Sequence, residues 1–376
     1  MDICELCGSK TDAVVPTDVF WCAECKTPII RNRNDADKER CPLCNGKAKY
    51  LAADIRVVFP EERLLLELML DKPLVYKDCS VWANNSRYYI NGKSVSLTSK
   101  MYSKYTPEYL LSKLQEYHDQ NQYDVFKQFI ERFIRANSTR FHEIVNEAHQ
   151  FIQEQASKFP IENIVLSFSG GKDSTVTADL VTKALQNPSL VHIFGNTTLE
   201  FPLTIAYANR FRDNHPLAIF KTAKNNEQDF MSVCEDIGPP ARMMRWCCSM
   251  FKTGPITRVL TRYYRDTKIL TFYGIRRDES TARSKYNRVE DDAESVKIQK
   301  QTVATPIFYW KDIDIWLYIL TEQIDFNEAY RLGYDRVGCW CCPNNNLRAQ
   351  FLSSIYMPEK YKNCLLYTSP SPRDTR

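Results

Sequence analysis

Short apolar runs alternate with segments of helical periodicity from residue 160 onward. The runs are rich in β-branched and aromatic residues and read NIVLSF (163–168), LVHIFGN (190–196) and KILTFYG (268–274). Such alternation predicts a doubly wound α/β fold with a mostly parallel sheet. Ligands of these folds bind at the carboxyl ends of the strands. Each run is followed there by a polar loop: residues 169–174, 196–200 and 276–283.

The preceding part of the chain has a different pattern. PEERLLLELML predicts a short helix that begins near Pro60, and SRYYINGKSVSL predicts a hairpin that turns at Asn91-Gly92. Residues 106–158 have helical periodicity with one apolar face. We therefore assign 54–158 to a small α+β and helical region and 159–350 to the α/β domain.

Composition and charge narrow the class of protein. The 376 residues are 44% apolar, and the net charge of +4 is too small to indicate nucleic-acid binding by itself. No apolar run reaches membrane-spanning length, and the first residues do not resemble a signal peptide. We expect a cytoplasmic protein without a membrane partner. Fourteen cysteines in such a chain indicate metal ligands rather than disulfides.

Three Cys-x-x-Cys pairs lie in the first 44 residues: Cys4/Cys7, Cys22/Cys25 and Cys41/Cys44. Two adjacent pairs at this spacing supply the four thiolates of a zinc ribbon. We predict one Zn²⁺ within residues 1–53, bound by the second and third pairs, because these lead directly into the next region. The first pair is an alternative source of two ligands or stays unligated.

The end of the chain has a character of its own. CLLYTSPSPRD, from Cys364 to Asp374, resembles the translation of a sequencing adapter, and a disordered Ser/Pro tail is the alternative. We treat residues 364–376 as a non-native tail and do not count Cys364 as a ligand.

The first polar loop carries the strongest chemical signal, Ser169-Gly170-Gly171-Lys172-Asp173-Ser174. Glycines let the backbone approach an anion, and the start of the following helix favours negative charge. Lys172 adds a positive charge and Ser174 a hydroxyl donor. The spacing differs from that of a kinase-type P-loop. We predict that these six residues bind a phosphate group.

SGGKDS resembles the PP-loop of the ATP-pyrophosphatase superfamily, whose fold is adenine nucleotide alpha hydrolase-like. Further stretches resemble the phosphoadenylyl-sulfate (PAPS) reductase family, in that family's order over residues 160–345. They are GNTTLEFP, WCCSMFKTGPI, GIRRDESTAR, PIFYWKDIDIWLYI and NEAYRLGYDRVGCWCCP. With the cysteine pairs before them, the chain resembles archaeal-type members. The family pattern is altered at four positions: Asn196, Thr198, Leu203 and Phe251 stand where Asp, Gly, Glu and Arg are usual.

Basic residues extend the predicted anion site. A guanidinium can bind two oxygens of a sulfate or phosphate, and three arginines follow the third apolar run: Arg276, Arg277 and Arg283. The alternative is that these are surface arginines paired with Asp278 and Glu279. Lys252 is a further anion contact that the resemblance alone implies.

Five more cysteines form a second group: Cys247, Cys248, Cys339, Cys341 and Cys342. Adjacent cysteines rarely form a simple zinc knuckle, and four thiolates can hold a [4Fe–4S] cluster. The resemblance implies the ligands Cys247, Cys248, Cys339 and Cys342. Cys341 is then a free thiol or an alternative ligand. The alternatives for this group are a second zinc ion or no bound metal.

Two reactions fit the resemblance. In the first, the loop binds adenylyl sulfate (APS) or PAPS, a cysteine attacks the sulfur, and a thiol reductant such as thioredoxin releases sulfite. In that family the attacking cysteine lies beyond the Cys-x-x-Cys, here at or past Asn363. In the second, the loop binds ATP with Mg²⁺ and adenylates DNA, tRNA or a small molecule before a donor delivers sulfur. A zinc ribbon suits a nucleic-acid partner. A non-catalytic nucleotide- or nucleic-acid-binding module is the third alternative.

Overall fold

The structure is a computed structural model that describes residues 2–3, 10–11, 16–121, 123–265, 267–281, 283–291 and 301–368. Cys4 and Cys7 lie outside these residues, as does the end of the predicted tail, 369–376. The strands of the described part are β1 Asp2–Ile3, β2 Lys10–Thr11, β3 Thr17–Cys22, β4 Thr27–Asn32, β5 Ala48–Ala52, β6 Arg56–Val57, β7 Val81–Asn84, β8 Arg87–Ile90, β9 Lys93–Ser96, β10 Ile164–Phe168, β11 Val191–Asn196, β12 Ile219–Lys224, β13 Ile269–Tyr273, β14 Val289–Asp291 and β15 Gln301–Ala304.

The α-helices surround these strands. They are α1 Pro60–Met69, α2 Pro107–Glu116, α3 Asp124–Ala136, α4 Ser138–Ala156, α5 Lys172–Leu185, α6 Pro202–Asn214, α7 Phe230–Ile237, α8 Trp246–Cys248, α9 Gly254–Tyr264, α10 Asp312–Glu322, α11 Leu347–Tyr356 and α12 Pro358–Thr368. The helix predicted from Pro60 is confirmed. The long helical stretch is also confirmed, divided by turns into α2, α3 and α4. No helix among the described residues is long and apolar enough to cross a membrane.

The main sheet has six strands in the order β12-β11-β10-β13-β15-β14, and β14 alone is antiparallel to its neighbour. The three apolar runs are the central strands β11, β10 and β13, which confirms the α/β prediction. Leu166 of β10 lies between His192 and Phe272 of the two neighbouring strands. Successive crossovers change direction between β10 and β13, so a crevice forms at the carboxyl ends of these strands.

The four predicted zinc ligands lie around a three-stranded antiparallel sheet, β4-β3-β5. The hairpin of β8 and β9 turns at Asn91 and Gly92, as predicted, with Ile90 paired to Lys93. Both turn residues have the positive φ angles, 45° and 79°, of a tight hairpin turn.

The hydrophobic cores cross the regions that we delimited from the sequence. One core joins the ribbon sheet, α3 and α4 to one face of the main sheet, and a separate core that includes α9 covers the other face. A second core packs α1 and the β7–β9 sheet against the C-terminal helix α11, through Leu64, Leu66, Phe351, Leu352 and Ile355. The described parts of the chain are therefore interlocked, and the residue boundaries between regions stay predictions.

Candidate functional site

The loop Ser169–Ser174 joins β10 to α5 at the predicted strand end. Gly170 has a φ of 72°, a conformation that a residue with a Cβ rarely adopts. Gly274, at the end of β13, lies so close that a Cβ there would be 2.6 Å from the carbonyl carbon of Asp173. Two glycines thus allow the turn and the close approach of β13 to the start of α5.

Hydroxyl groups hold the shape of this loop. The Ser174 hydroxyl donates to the Gly171 carbonyl at 2.8 Å and accepts from the Ser169 N–H at 3.1 Å. The Lys172 N–H donates to the hydroxyl of buried Tyr330 at 3.0 Å. Asn327 donates to the Gly170 carbonyl at 3.1 Å. The loop is thereby fixed before any anion arrives, with Ser169 as its exposed residue.

The ammonium of Lys172 lies in a buried group of acceptors. Its Nζ is 3.1 Å from Oδ1 of Asp312, 3.6 Å from Oδ2 of Asp173 and 3.2 Å from the carbonyl oxygen of Asp335. Burial lowers the pKa of Lys172, but the two carboxylates outweigh it and raise the pKa above its ordinary value. Lys172 is therefore a fixed positive charge at the base of the loop.

The three predicted arginines have different environments. Arg276 is buried and binds the carboxylates of Asp173 and Asp312, the latter at 3.1 Å. Arg277 lies at the surface, 3.7 Å from Asp278, and Arg283 pairs with Glu279. The surface pairing that we weighed as an alternative is thus seen for Arg277 and Arg283, whereas Arg276 belongs to the loop.

Electrostatics around the loop follow from this arrangement. Burial would raise the pKa of Asp173, but Arg276 and Lys172 lower it to about 2, so the carboxylate is charged. Burial, with the nearby Arg336, lowers the pKa of Arg283. Arg336 is exposed, and two guanidiniums close to each other favour an anion between or beside them.

The second loop follows β11 and makes contact with the second cysteine group. Glu200 accepts from the Thr197 N–H at 3.0 Å and from its hydroxyl at 2.7 Å. Glu200 also forms a backbone bridge with Cys339, whose Sγ is 3.7 Å from the Thr197 hydroxyl. The second cysteine group therefore lies at the same edge of the sheet as the phosphate loop.

Two of the residues that depart from the family pattern, Asn196 and Thr198, are joined by a hydrogen bond in the second loop. Thr198, where glycine is usual, has a φ of 66°. This conformation is strained for a β-branched residue. Asn196 compensates in part, because its Oδ1 accepts from the Thr198 N–H at 2.9 Å.

Phe251 and Leu203 are apolar replacements for charged residues. Phe251 is 1% exposed and packs edge-on against Phe230, next to Trp246. An arginine in this place would have to bury its charge. Leu203 packs at the border of the core that contains α1 and α11. Lys252, which follows Phe251, lies beside Gly195 of β11. Burial and the Glu200 carboxylate raise the pKa of the Cys339 thiol, and Lys252 offsets part of this rise.

The second cysteine group is brought together from two distant segments. Cys247 and Cys248 form α8, a single helical turn, and the next turn is a π-helix, Ser249–Thr253. The neighbouring thiol of Cys248, burial, and the thiols of Cys339 and Cys341 all raise the pKa of Cys247. Cys341 is 2% exposed and packs against Phe251 in the same small core. The fold therefore brings the two segments of this group together at one small core.

The first cysteine group has the geometry of a single-ion site. The Sγ atoms of Cys22 and Cys44 are 3.6 Å apart, those of Cys25 and Cys41 are 3.8 Å apart, and all four lie within 4.8 Å of one another. Tetrahedral Zn²⁺ with Zn–S bonds of ~2.3 Å requires thiolates about 3.8 Å apart. The four-cysteine site is therefore confirmed, and its spacing fits a zinc ribbon.

Several residues of the loop site were not predicted from the sequence: Gly274, Asp312, Asn327, Tyr330 and Asp335. All five lie in stretches that carry the family resemblance, but their neighbours along the chain give no sign of their contacts. A motif comparison finds these positions, whereas local sequence pattern does not, because their partners in the phosphate loop lie more than 100 residues away.

Comparison with known proteins agrees with this arrangement. Residues 163–345 match the family model of the phosphoadenosine phosphosulfate reductase domain. The chain carries a PAPS reductase family domain. This domain contains both phosphate-site loops and the second cysteine group, and the four-cysteine ribbon precedes it.

The relatives of this chain fall into two kinds. An uncharacterized protein of Methanocaldococcus jannaschii is 32% identical over 65% of this chain and 49% of its own. Adenosine 5'-phosphosulfate reductase of Staphylococcus epidermidis is 27% identical over 48% of this chain and 70% of its own. The phosphate complex of PAPS reductase from Candida auris is 17% identical, with a TM-score of 0.41, over 55% of this chain and 96% of that one. The chain spans about half the length of the archaeal relatives it matches.

Proposed function

We propose that the chain binds an adenylyl nucleotide at the Ser169–Ser174 loop and reduces APS or PAPS to sulfite by thiol chemistry. The observation that supports this most is the contact between the second loop and the second cysteine group, with Cys339 Sγ 3.7 Å from the Thr197 hydroxyl. Sulfur chemistry and nucleotide binding then share one edge of the sheet. The names of the bacterial relatives point the same way.

The binding roles follow from the charges. The loop N–H groups at the start of α5 would bind the phosphate, because the first N–H groups of a helix have no partner within it. Ser169 would add a hydroxyl donor, whereas the Ser174 hydroxyl, which donates to the Gly171 carbonyl, would keep the loop in shape. Lys172 with Arg276 would supply positive charge behind the loop. Arg277, Arg283 and Lys252 stay predicted contacts of the sulfate end.

The reaction is a two-electron reduction. A thiolate attacks the sulfur of the bound nucleotide and an S–S bond forms. The S–O bond to the nucleotide phosphate breaks, so AMP leaves from APS, or adenosine 3′,5′-bisphosphate from PAPS, with the bonding pair. A second thiol, from a reductant such as thioredoxin, then attacks the cysteine sulfur of that S–S bond. Sulfite leaves and a disulfide forms. The attacking cysteine is not assigned among the described residues.

A [4Fe–4S] cluster on Cys247, Cys248, Cys339 and Cys342 would hold the two cysteine segments together at the sulfate end of the site. Zn²⁺ on Cys22, Cys25, Cys41 and Cys44 would hold the ribbon folded. Both metal identities are part of the proposal.

The ribbon favours a second candidate, ATP-dependent adenylation and sulfur transfer to DNA or tRNA. On its sheet, Lys49 and the 59%-exposed Tyr50 of β5 present a positive charge and an aromatic ring to solvent. Such pairs bind nucleic acid through phosphate contacts and base stacking. This function would need a magnesium-bound ATP in the same loop.

Calorimetric titration of anaerobically purified protein with ATP, APS and PAPS tests the proposal. Tight binding of APS or PAPS with weak binding of ATP would support the reductase. Tight ATP with weak APS and PAPS would refute the reductase and favour sulfur transfer. Binding of none of the three would refute both enzymatic functions and leave the non-catalytic module.

A further inference from the structure

Residues 54–57, which connect the ribbon to α1, reach the nucleotide loop by two routes. The first route begins at the Asp54 carboxylate. Its Oδ2 accepts from the Asp312 N–H at 2.9 Å, and its Oδ1 accepts from the Ile313 N–H at 3.2 Å. Asp54 thereby caps the start of α10 from outside the domain that contains this helix.

The first residue of that helix carries the charge that meets the loop. The Asp312 carboxylate is 3.1 Å from Nζ of Lys172 and 3.1 Å from Nη2 of Arg276. Lys311, just before the helix, donates to the carbonyls of Thr17 and Ala53 in the ribbon region. The start of α10 is therefore held between the ribbon and the phosphate loop.

The second route begins at Arg56. Its guanidinium binds Glu62 at 2.6 and 2.7 Å and also binds the carboxylate of Asp335. The carbonyl of Asp335 accepts from Nζ of Lys172 at 3.2 Å. Arg56 is 5% exposed, so this contact lies inside the protein.

Both routes end on the same atom. Nζ of Lys172 has three oxygen partners, and two of them, on Asp312 and Asp335, are held by residues 54 and 56. Residues 54 and 56 precede the matched domain, 163–345. If the start of α10 loosens, Asp312 moves and the ammonium loses its fixed position.

We propose that Asp54 is a positioning residue for the nucleotide site, so that the region before the PAPS reductase domain sets the affinity for the nucleotide phosphates. The inference rests on the proposed nucleotide binding at Ser169–Ser174. Asp54 acts through Asp312 and Lys172 and does not touch the nucleotide. The effect is confined to ligands that carry phosphate, because adenosine alone has no group for Lys172 to attract.

The test compares Asp54→Asn with the parent in the full-length, metal-loaded chain. An amide offers one acceptor oxygen in place of two, so the cap at Ile313 or Asp312 is lost while the shape is kept. We expect ATP, and APS where the parent binds it, to bind about fivefold more weakly, the effect of one lost cap. Adenosine affinity and metal content should stay at the parent values, and the melting temperature should fall by no more than a few degrees.

Asp18→Asn is the matched control. Asp18 also lies in the N-terminal region and binds a basic residue, Arg33, at 2.8 Å, yet makes no contact with α10 or the loop in the described part. It should leave nucleotide affinity unchanged. Lys311→Met is the second variant. It removes the two hydrogen bonds from Lys311 to the ribbon region, and we expect it to weaken ATP binding as Asp54→Asn does.

Three outcomes would overturn either the proposed function or the positioning role of Asp54. A parent chain that binds none of the phosphate-bearing ligands refutes the proposed function itself. A parent that binds them, with Asp54→Asn and Lys311→Met unchanged, overturns the positioning role alone. Equal weakening of adenosine and ATP in Asp54→Asn also overturns it, because a general loss of structure affects both.

Discussion

Glu62 at the start of α1 is the centre of a buried ionic network. We expect its charge to contribute several kcal/mol to the free energy of unfolding. Its carboxylate accepts from Nη1 and Nη2 of Arg56 at 2.6 and 2.7 Å and from the Tyr88 hydroxyl at 2.7 Å. It also binds Arg348. Glu62 is 1% exposed, so this network is not weakened by water or salt.

The magnitude follows from the pKa. Burial would raise the pKa of Glu62, but Arg56 and Arg348 lower it from 4.5 to about 2. A shift of this size corresponds to about 3 kcal/mol of folding free energy, at ~1.4 kcal/mol per pKa unit. We expect Glu62→Gln to lower the free energy of unfolding at pH 7 by about 3–5 kcal/mol, since two buried guanidiniums lose their counter-charge.

Urea unfolding followed by tryptophan fluorescence measures this loss. Because the folded-state pKa is depressed, the contribution of Glu62 is complete above its unfolded pKa and is lost as pH falls from about 4.5 towards 2. The difference between parent and variant should therefore shrink over that range. Glu116→Gln, which removes a surface partner of Lys113, should leave the midpoint unchanged. A loss below ~1 kcal/mol for Glu62→Gln, or a difference independent of pH, would refute the reasoning.

Three further changes probe the ribbon and the two loops. Cys44→Ser should abolish stoichiometric zinc by elemental analysis, whereas Cys79→Ser, outside the four-cysteine site, should retain it; equal zinc in both would contradict the assignment. Thr198→Gly should raise the free energy of unfolding by about 1 kcal/mol, because it removes a strained φ of 66°, and a lower stability would speak against that strain. Gly274→Ala should abolish ATP or APS binding in calorimetry, because its Cβ would overlap the backbone of Asp173, while Gly338→Ala has open space and should bind normally.

Local pattern was enough to predict the central strands and the binding loop. The strands β10, β11 and β13 are largely buried on both faces, so their sequences are mostly apolar. The edge strand β12 reads IFKTAK and is largely exposed, and β15 reads QTVA; neither has the apolar run that predicts a strand. Both were missed for this reason.

The environment of Lys172 could not be predicted in the same way. Its partners Asp312 and Asp335 lie 140 and 163 residues further along the chain, and nothing near them in sequence marks them as partners. The four ribbon cysteines were predictable because their ligand geometry is imposed by spacing along the chain. Local contacts could therefore be predicted from the sequence, whereas tertiary contacts could not.

The shared core of α1 and α11 has a consequence for the order in which the chain folds during synthesis. Leu64 and Leu66 of α1 pack with Phe351, Leu352 and Ile355, which emerge from the ribosome about 290 residues later. At ~5–20 residues per second, α1 waits about 15–60 s for its packing partner. The part of this core that α11 closes stays open throughout that time, whereas the β7–β9 residues that also pack in it are made soon after α1. Although it is made first, the N-terminal half of the molecule is completed last.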